Sequence, residues 1–495
     1  MSNVIEFYKQ DFPSTLFPLN TNLILIENHS EEINKYVYER ILNPAMNEHS
    51  FLSQQKVYAT KPKNHLRRTI KLDPIAEFFI YDVIYRNRTK FRDAVSEERK
   101  CFGYKFKDGE AIKVHQAYAN FKSDLNSLKE EFAYCLKFDI ASYFNSLYHH
   151  DVCHWFTSTN VSESDSIFFG QFCREINSGR SVDFMPHGIY PSKMIGNEFL
   201  KYIDLNHELK SSKIIRFMDD FILFDNDQNV LKRDFIKIQK LLGTKGLNIN
   251  PAKTSLNYKS QEVTSTLSTI KQDLMAIMSI DGLDDLVSGV EVSDQQQAEQ
   301  TTIALNETQI EQLLNLLKDN QIEEEDAELI LSFLKDYSDN LLIVLPEILT
   351  KFPNLIKQVY SVSLRITDKE LLANVLLEHL ESEHLFLEYE LFWLGKLVED
   401  CLLDVSLIGK LLMKIYELSN SYKIAQAKIL EIPVNDFGLK EIRLDFLKTG
   451  QSDWLAWSSA IGLRGLAVAE RNYNLDYFSK ASPINFLIAS CVKKL

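Results

Sequence analysis

Two patterns of apolar residues divide the sequence. In the first part, short apolar runs such as residues 135–138 and 214–217 alternate with stretches of helical periodicity. Short apolar runs of this kind predict buried strands, so the first part is predicted to have a mixed α/β fold. From residue 303 onwards, leucines recur at i, i+3 and i+4, which predicts successive amphipathic helices.

The second part is predicted to be all-α. Short polar connections between its helices favour paired helices stacked as a solenoid, with an irregular helical bundle as the alternative. Thr367 and Glu370 predict a capping box at one helix start. The predicted helices cover residues 307–318, 327–335, 341–351, 369–381, 385–401 and 407–418.

A polar segment separates the two parts. Residues 279–302 lose the apolar periodicity and contain three consecutive glutamines, which is typical of a linker or an exposed loop. We therefore predict an α/β domain over residues 1–280, a linker over residues 281–302 and a helical domain over residues 303–495.

Charge follows the same division. Residues 1–260 carry 35 Lys and Arg against 32 Asp and Glu, whereas residues 261–495 carry 20 against 37. An acidic helical part is unsuited to coating duplex DNA, although a local cationic channel in the first part stays compatible with the sequence.

Composition excludes several other classes of protein. With 16 Gly and 12 Pro in 495 residues, an all-β fold rich in turns is disfavoured. The six cysteines form no CxxC pair, which argues against a zinc ribbon or a disulfide framework. The sequence shows neither a signal peptide nor an apolar run long enough for a membrane span, so we expect a soluble, intracellular protein without membrane contact.

The strongest chemical signal lies at residues 214–224. Two apolar runs flank Asp219 and Asp220, which predicts a hairpin with both carboxylates at its tip. Two like charges between apolar strands are unfavourable without a cation, so the pattern indicates a divalent-metal site; a surface turn is the common alternative.

A second predicted strand ends at Asp139. The common alternative for an aspartate at this position is that it caps the following helix. Carboxylates on neighbouring strands could hold two Mg²⁺ ions for nucleotidyl transfer.

Four motifs in order make the sequence resemble a reverse transcriptase of the right-hand polymerase type, over about residues 50–260. Residues 217–220 resemble the [YF]xDD motif, residues 138–144 the first aspartate motif, residues 186–192 the PQGxxxS motif and residues 246–254 the GLxxNxxKT motif. The resemblance implies a fingers and palm domain with Asp139, Asp219 and Asp220 as catalytic ligands of Mg²⁺, with Mn²⁺ as an alternative ion.

The resemblance also implies roles for cationic residues. Arg67 and Arg68 lie in a cation-rich run at residues 61–71 and would bind the β- and γ-phosphates of the incoming nucleotide. An exposed charged face is the common alternative. Lys253 would donate a proton to the leaving pyrophosphate, unless it is an ordinary loop lysine.

Three further residues are implied in nucleotide binding. Phe144 would exclude the ribose 2′-hydroxyl and so favour deoxynucleotides, or it is a core aromatic. Gly188 and Ser192 belong to the motif that packs under the template and the incoming nucleotide, where Gly188 permits a close backbone approach. His187 replaces the glutamine of that motif, which departs from the family pattern.

The acidic helical part is a second departure, because a basic thumb normally follows the palm. This arrangement resembles the abortive-infection reverse transcriptases of bacterial antiphage defence, in which a HEAT-like helical-repeat domain replaces the thumb. The resemblance implies a cytoplasmic, bacterial, homo-oligomeric polymerase that uses dNTPs without a template and starts on a protein hydroxyl. Its partners would be single-stranded DNA, covalently attached to the protein, and a phage-encoded trigger.

Tyr8 is the candidate priming residue. Chain ends are commonly mobile enough to enter a site, and a metal-activated phenol is a workable nucleophile. Two other functions stay open: a template-copying RNA-directed DNA polymerase of a retroelement, and a catalytically inactive phage-sensing scaffold. The presence of all three aspartates disfavours the scaffold.

Overall fold

The computed structural model describes residues 2–46, 48–91, 96–178, 185–258, 305–319 and 322–495. The predicted linker at residues 281–302 and both domain boundaries beside it lie outside these residues. The first part contains helices α1 Ser2–Asp11, α2 Asn20–Tyr36, α3 Pro74–Arg86, α4 Val114–Glu131, α5 Tyr143–Ser146, α6 His149–Ser158, α7 Glu163–Ile176, α8 Tyr190–Phe199, α9 Lys201–Asp204 and α10 Gln228–Gly243.

The first part also carries the strands. They are β1 Gln55–Thr60, β2 Leu66–Lys71, β3 Arg99–Phe102, β4 Phe106–Lys107, β5 Glu110–Ala111, β6 Tyr134–Asp139, β7 Lys213–Phe217, β8 Asp220–Asp225 and β9 Ser255–Tyr258. Strands β1 and β2 form a hairpin, and the central sheet has the order β3-β7-β8-β6-β9. Strand β3 is parallel to β7, and the other pairs are antiparallel. The strands predicted at residues 135–138 and 214–217 are confirmed as β6 and β7.

The central sheet is buried on both faces, which explains its continuous apolar runs. Side chains alternate along β8, so Phe221 and Leu223 join the main core while Ile222 and Phe224 face the other way. On that second face, they pack with four apolar residues of α4 (Tyr118, Phe121, Leu125 and Leu128). This packing holds the β7–β8 hairpin on both sides.

The second part is helical, as predicted. Its helices are α11 Glu307–Lys318, α12 Glu324–Phe333, α13 Leu345–Lys351, α14 Ile356–Ser363, α15 Lys369–Glu381, α16 Glu388–Cys401, α17 Ile408–Leu418, α18 Lys423–Glu431, α19 Leu439–Lys448, α20 Trp454–Gly462, α21 Val468–Phe478 and α22 Pro483–Val492. The helices α12, α14, α16, α18, α20 and α22 pack successively, and α13, α15 and α17 pack in a second row. Two layers of this kind correspond to the predicted solenoid-like stack.

The cap of α15 differs from the prediction. Asp368, rather than Thr367, caps the helix by accepting a hydrogen bond from the Leu371 N–H. The Thr367 N–H and hydroxyl both donate to Asp339. A capping box forms instead at α11, between Asn306 and Gln309.

The two parts share one continuous core. Glu431 of α18 is fully buried and accepts hydrogen bonds from the Asn20 N–H at 2.9 Å and from the Thr21 N–H at 2.6 Å. Lys428 compensates its charge at 2.7 Å. The Trp393 indole N–H also donates to the Leu16 carbonyl at 3.2 Å. The helical stack is therefore packed directly on the N-terminal segment.

A search of the helices within the described ranges finds none that is long and apolar enough to cross a membrane.

Candidate active site

The β7–β8 hairpin brings the three aspartates together. Its turn is formed by Met218 and Asp219, and Met218 adopts a left-handed φ of +55°. Asp220 lies directly opposite Asp139 in the register of β6 and β8, and Asp139 shares a side-chain hydrogen bond with Asp219. All three carboxylates thus lie at one end of the central sheet.

Burial and electrostatic repulsion both act on this cluster. Burial, followed by the charges of Asp139 and Asp220, raises the pKa of Asp219 well above its ordinary value. Burial also raises the pKa of Asp220; Lys137 opposes this shift and Asp139 adds to it. Burial and a neighbouring carboxylate oppose the ionisation of Asp219 and Asp220, and together with Asp139 they form a set of hard oxygen donors that a divalent cation would stabilise. The residues therefore fit the Mg²⁺ ions predicted from the sequence.

Lys253 lies beside the cluster. Its Nζ is 3.3 Å from Oδ2 of Asp139, and its side chain is 63% exposed. Burial alone would lower the pKa of Lys253, but the neighbouring Asp139 outweighs this and raises it. The preceding segment is fixed by the Asn250 N–H, which donates to the Asp139 carbonyl at 2.8 Å. Lys253 is thus a positioned, protonated group at the edge of the site.

The β1–β2 hairpin adds cations from the other side. Burial and the charges of Arg67 and Lys253 lower the pKa of Lys61, while Asp139 and Asp219 oppose that shift. Lys61 therefore lies within electrostatic range of Asp139 and Asp219, and Arg67 lies within electrostatic range of Lys61. Arg68 follows Arg67 on the same strand, so it occupies the opposite face of the hairpin. The structure thus separates the two arginines that were predicted to act together.

His187 is fixed against the β2 strand. The Thr69 hydroxyl donates to the His187 carbonyl at 3.0 Å and accepts from the His187 N–H at 2.8 Å. Burial, followed by the charges of Arg67, Lys193 and Lys61, holds the pKa of His187 well below its ordinary value, so the ring is neutral. Within the described residues, its buried Nδ1 has no hydrogen-bond partner.

Phe144 packs against His187 and α8. Its ring is edge-on to the His187 ring, with centroids 4.6 Å apart, and it is only 9% exposed. A Cβ at Gly196 would lie 2.9 Å from the Phe144 ring, so the absence of a side chain at Gly196 accommodates it. This position combines core packing with contact to His187, a residue of the PQGxxxS-like motif.

Gly188 and Ser192 lie in the same region. Gly188 has a φ of +100°, and a Cβ there would collide with Leu16, so glycine is required on both grounds. Ser192 is fully buried in α8, and its hydroxyl finds no hydrogen-bond partner among the residues described.

A buried arginine that the sequence analysis gave no role fixes the hairpin. Arg216 of β7 is fully buried and pairs with Asp204, with Nη2 to Oδ2 at 2.5 Å. Its Nη1 also donates to the side chain of Asn197 at 2.6 Å and to the Met218 carbonyl at 3.0 Å. Arg216 therefore joins α8 and α9 to the turn that carries Asp219. The sequence feature that could have indicated this role is a single charged residue inside an apolar strand.

The expectation of a mobile Tyr8 is wrong. Tyr8 lies in α1 with 0% exposure and packs edge-on against Tyr81, with ring centroids 4.9 Å apart. Burial, then the charges of Glu77, Asp11 and Glu431, raises the pKa of Tyr8 well above its ordinary value. A buried phenol that resists ionisation is poorly suited to nucleophilic attack, so the structure does not support Tyr8 as the priming residue.

Comparison with known proteins gives one decisive match. Residues 91–270 match the family described as reverse transcriptase (RNA-dependent DNA polymerase). This segment is similar to a reverse transcriptase domain. The segment contains Asp139, Asp219, Asp220 and Lys253, and the match supports a polymerase function of the nucleotidyltransferase class. Arg67, on the β1–β2 hairpin, lies before the matched segment.

Solved structures similar to the chain include two telomerases. Apo telomerase from Candida tropicalis has a TM-score of 0.33 and 13% identity, with 87% of this chain and 73% of that chain covered. Telomerase from Candida albicans in complex with a TWJ fragment of telomeric RNA has a TM-score of 0.32 and 16% identity, with 81% and 68% covered. Likenesses with TM-scores this low carry no argument about this chain. No curated protein matches the chain significantly.

Proposed function

We propose that the protein is a DNA polymerase of the reverse-transcriptase type that adds dNTPs by metal-dependent nucleotidyl transfer. The convergence of Asp139, Asp219 and Asp220 at the end of the central sheet carries this proposal. A surface turn would leave these carboxylates solvated and separate, whereas here burial and the charge of Asp139 raise the pKa of Asp219 and Asp220, and Lys253 lies beside Asp139 at the same sheet end.

Each residue of the site has a defined task in this proposal. Asp139, Asp219 and Asp220 would hold two Mg²⁺ ions, which when bound would activate the attacking hydroxyl and stabilise the leaving pyrophosphate. Arg67 and Lys61 bind the triphosphate by charge. Lys253, protonated beside Asp139, supplies a proton to the departing pyrophosphate oxygen.

We further propose that synthesis needs no nucleic-acid template and begins on a protein hydroxyl, in abortive-infection phage defence by a homo-oligomer. The acidic charge of residues 261–495 supports the absence of a template, because a surface of that sign repels the phosphates of a primer–template duplex. The protein hydroxyl, the role in phage defence and the homo-oligomer rest on the family resemblance of the sequence. Tyr8 is not proposed as the hydroxyl, because it is fully buried.

Template-directed copying of RNA is the second candidate. The family matched by residues 91–270 is described as RNA-dependent DNA polymerase, which favours it. The two candidates differ in whether the product sequence follows an added RNA.

One experiment separates the candidates. The purified protein is incubated with labelled dNTPs and Mg²⁺, without primer or template, and resolved on a denaturing gel before and after protease treatment. Label that migrates with the protein and is released by protease supports untemplated, protein-primed synthesis. Label that appears only when a primed RNA is added, and copies it, supports the second candidate.

Two variants test the site itself. Asp219→Asn should abolish incorporation under both conditions. Lys253→Met should lower the rate by about 10²–10⁴-fold, the usual contribution of a general acid. Lys240→Met, at an exposed position of α10, is the matched control and should keep wild-type activity. A fully active Asp219→Asn protein would overturn the proposed polymerase.

A further inference from the structure

A second polar cluster lies far along the chain from the aspartates, in the turn between α15 and α16. His379 is in the last turn of α15, His384 is in the connection, and Glu390 is in the first turn of α16. One ligand atom from each of the three lies within 4.8 Å of the others. The side chains therefore converge on one point from three consecutive pieces of backbone.

The distances fit a small tetrahedral ion. The His379 Nε2 is 3.3 Å from Oε1 of Glu390, and the His384 Nε2 is 3.1 Å from Oε2 of the same carboxylate. Ligand atoms about 2.0–2.1 Å from a tetrahedral Zn²⁺ ion are separated by about 3.3–3.4 Å. The two histidine nitrogens therefore need little movement relative to the carboxylate to share an ion with it.

Burial gives a reason for an ion at this place. The side chain of Glu390 is 0% exposed and that of His379 is 2% exposed, whereas that of His384 is 14% exposed. Both oxygens of the Glu390 carboxylate lie within hydrogen-bond distance of a histidine nitrogen, and a cation held between these groups would stabilise a buried carboxylate, which is costly in an apolar surrounding. Phe386 packs against both histidine rings, with centroid distances of 5.2 and 4.8 Å, and screens the cluster.

We propose that His379, His384 and Glu390 form a binding site for a divalent transition-metal ion of the zinc class. Two imidazoles and one carboxylate are a donor set suited to Zn²⁺, whereas Mg²⁺ prefers oxygen donors throughout. Three protein ligands would leave a fourth position for a water molecule. This site is independent of the proposed polymerase chemistry.

The location suggests what the ion would do. Glu388 lies two residues before Glu390 and accepts hydrogen bonds from the Tyr58 N–H of β1 and from the Ile424 N–H, the latter at 3.0 Å. The carbonyl of Phe386 also accepts from the Tyr422 hydroxyl at 3.2 Å. An ion at the α15–α16 turn would therefore fix the part of the helical stack that contacts the β1–β2 hairpin.

The test is a metal titration of the full-length protein, prepared without a polyhistidine tag and stripped with EDTA. Zn²⁺ is titrated by calorimetry in millimolar Mg²⁺, which competes at the aspartates. Co²⁺ is added separately, because tetrahedral Co²⁺ has a distinct visible absorption. We expect about one equivalent of Zn²⁺ per chain and a tetrahedral Co²⁺ spectrum.

Four variants locate the site. His384→Ala and Glu390→Gln should weaken Zn²⁺ binding by more than about tenfold and abolish the Co²⁺ spectrum. His154→Ala removes an exposed histidine of α6 and is the matched control; it should bind as the wild type does. Asp219→Asn should also keep the zinc site. His384→Ala keeps the test valid if Glu390→Gln does not fold, since His384 is partly exposed.

Three results would overturn the proposal. They are wild-type protein that binds no Zn²⁺ in the presence of Mg²⁺, a His384→Ala protein with unchanged affinity and spectrum, and binding that disappears in Asp219→Asn instead. None of these results depends on whether the protein polymerises nucleotides.

Discussion

Replacing Asp219 with asparagine should stabilise the metal-free protein while removing its response to Mg²⁺. In the wild type, burial and the charges of Asp139 and Asp220 raise the pKa of Asp219. A carboxyl group whose pKa is higher in the folded state lowers the free energy of unfolding as the pH rises above its unfolded value of about 4. At neutral pH, the asparagine variant is free of this penalty.

The size of the effect follows from the geometry. Two carboxylates about 4 Å apart repel by about 4 kcal/mol at an effective dielectric constant of about 20. Asp219 and Asp220 are partly exposed, so solvent screening reduces the expected gain to about 1–2 kcal/mol. For 495 residues and an unfolding entropy of about 2.1 cal/mol/K per residue, this raises the melting temperature by about 1–2 °C.

The assay is thermal melting with EDTA and with Mg²⁺. Mg²⁺ at about ten times its dissociation constant should stabilise the wild type by about 1.4 kcal/mol and Asp219→Asn by much less. Asp225→Asn, on the same strand, is the matched control. Oδ2 of Asp225 accepts hydrogen bonds from the Ser212 N–H at 2.9 Å and from the Ser212 hydroxyl at 2.8 Å. The control should therefore lose stability by about 1–2 kcal/mol and keep the Mg²⁺ response.

The reasoning is refuted if Asp219→Asn is less stable than the wild type in EDTA and still gains as much from Mg²⁺. That result would mean that the three carboxylates neither repel one another nor hold the ion together.

Three further outcomes are expected. Arg216→Met should lower the free energy of unfolding by about 3–5 kcal/mol in chemical denaturation, because it leaves Asp204 buried and unpaired. The control Arg365→Met removes an exposed ion pair and should lower it by less than about 1 kcal/mol. Similar losses in the two variants would contradict the role of Arg216 in fixing the hairpin. Phe144→Ala should increase incorporation of ribonucleotides relative to deoxynucleotides in single-nucleotide assays, and an unchanged ratio would assign Phe144 to packing alone. Burial, opposed by backbone hydrogen bonds, raises the pKa of Glu388 to about 7. As the pH rises from 4 to 7, the free energy of unfolding of the wild type should therefore fall relative to that of Glu388→Gln, by about 3 kcal/mol at most. Parallel pH profiles of the two proteins would contradict this expectation.

The proximity of the three aspartates could be predicted because its signals are local. The apolar runs around Asp219 and before Asp139 specify strands, and strands that pair in one sheet bring their ends together. The helical part was predictable for a similar reason, since a 3.6-residue apolar period directly reflects a buried helix face. The ends of α11 and α15 match the predicted bounds.

The misses depend on contacts between residues far apart in the chain. Tyr81 packs against Tyr8, and Glu431, far along the chain, is one of the charged groups that act on it. The position of Tyr8 near the chain end reveals neither of these neighbours. The role of Arg216 depends on Asp204, whose proximity only the fold establishes. Thr367 resembles a cap, but the competing acceptor Asp339 is 28 residues away.

The separation of Arg67 and Arg68 shows a different limit. Adjacent cations in a sequence look equivalent, but on a strand they lie on opposite faces. Only the assignment of residues 66–71 to a strand distinguishes them. The sequence run indicated a cationic segment without indicating that Lys61 is a member within electrostatic range of Asp139 and Asp219.

The shared core makes the catalytic part and the helical stack interdependent. Trp393 contacts Leu16 between α1 and α2, Glu431 contacts the first residues of α2, and the apolar residues of both parts belong to one cluster. A fragment ending before the helical stack would present a large unsatisfied apolar surface to water and would be prone to aggregate. The acidic stack is therefore part of the enzyme's framework rather than an appendage that could be removed or exchanged.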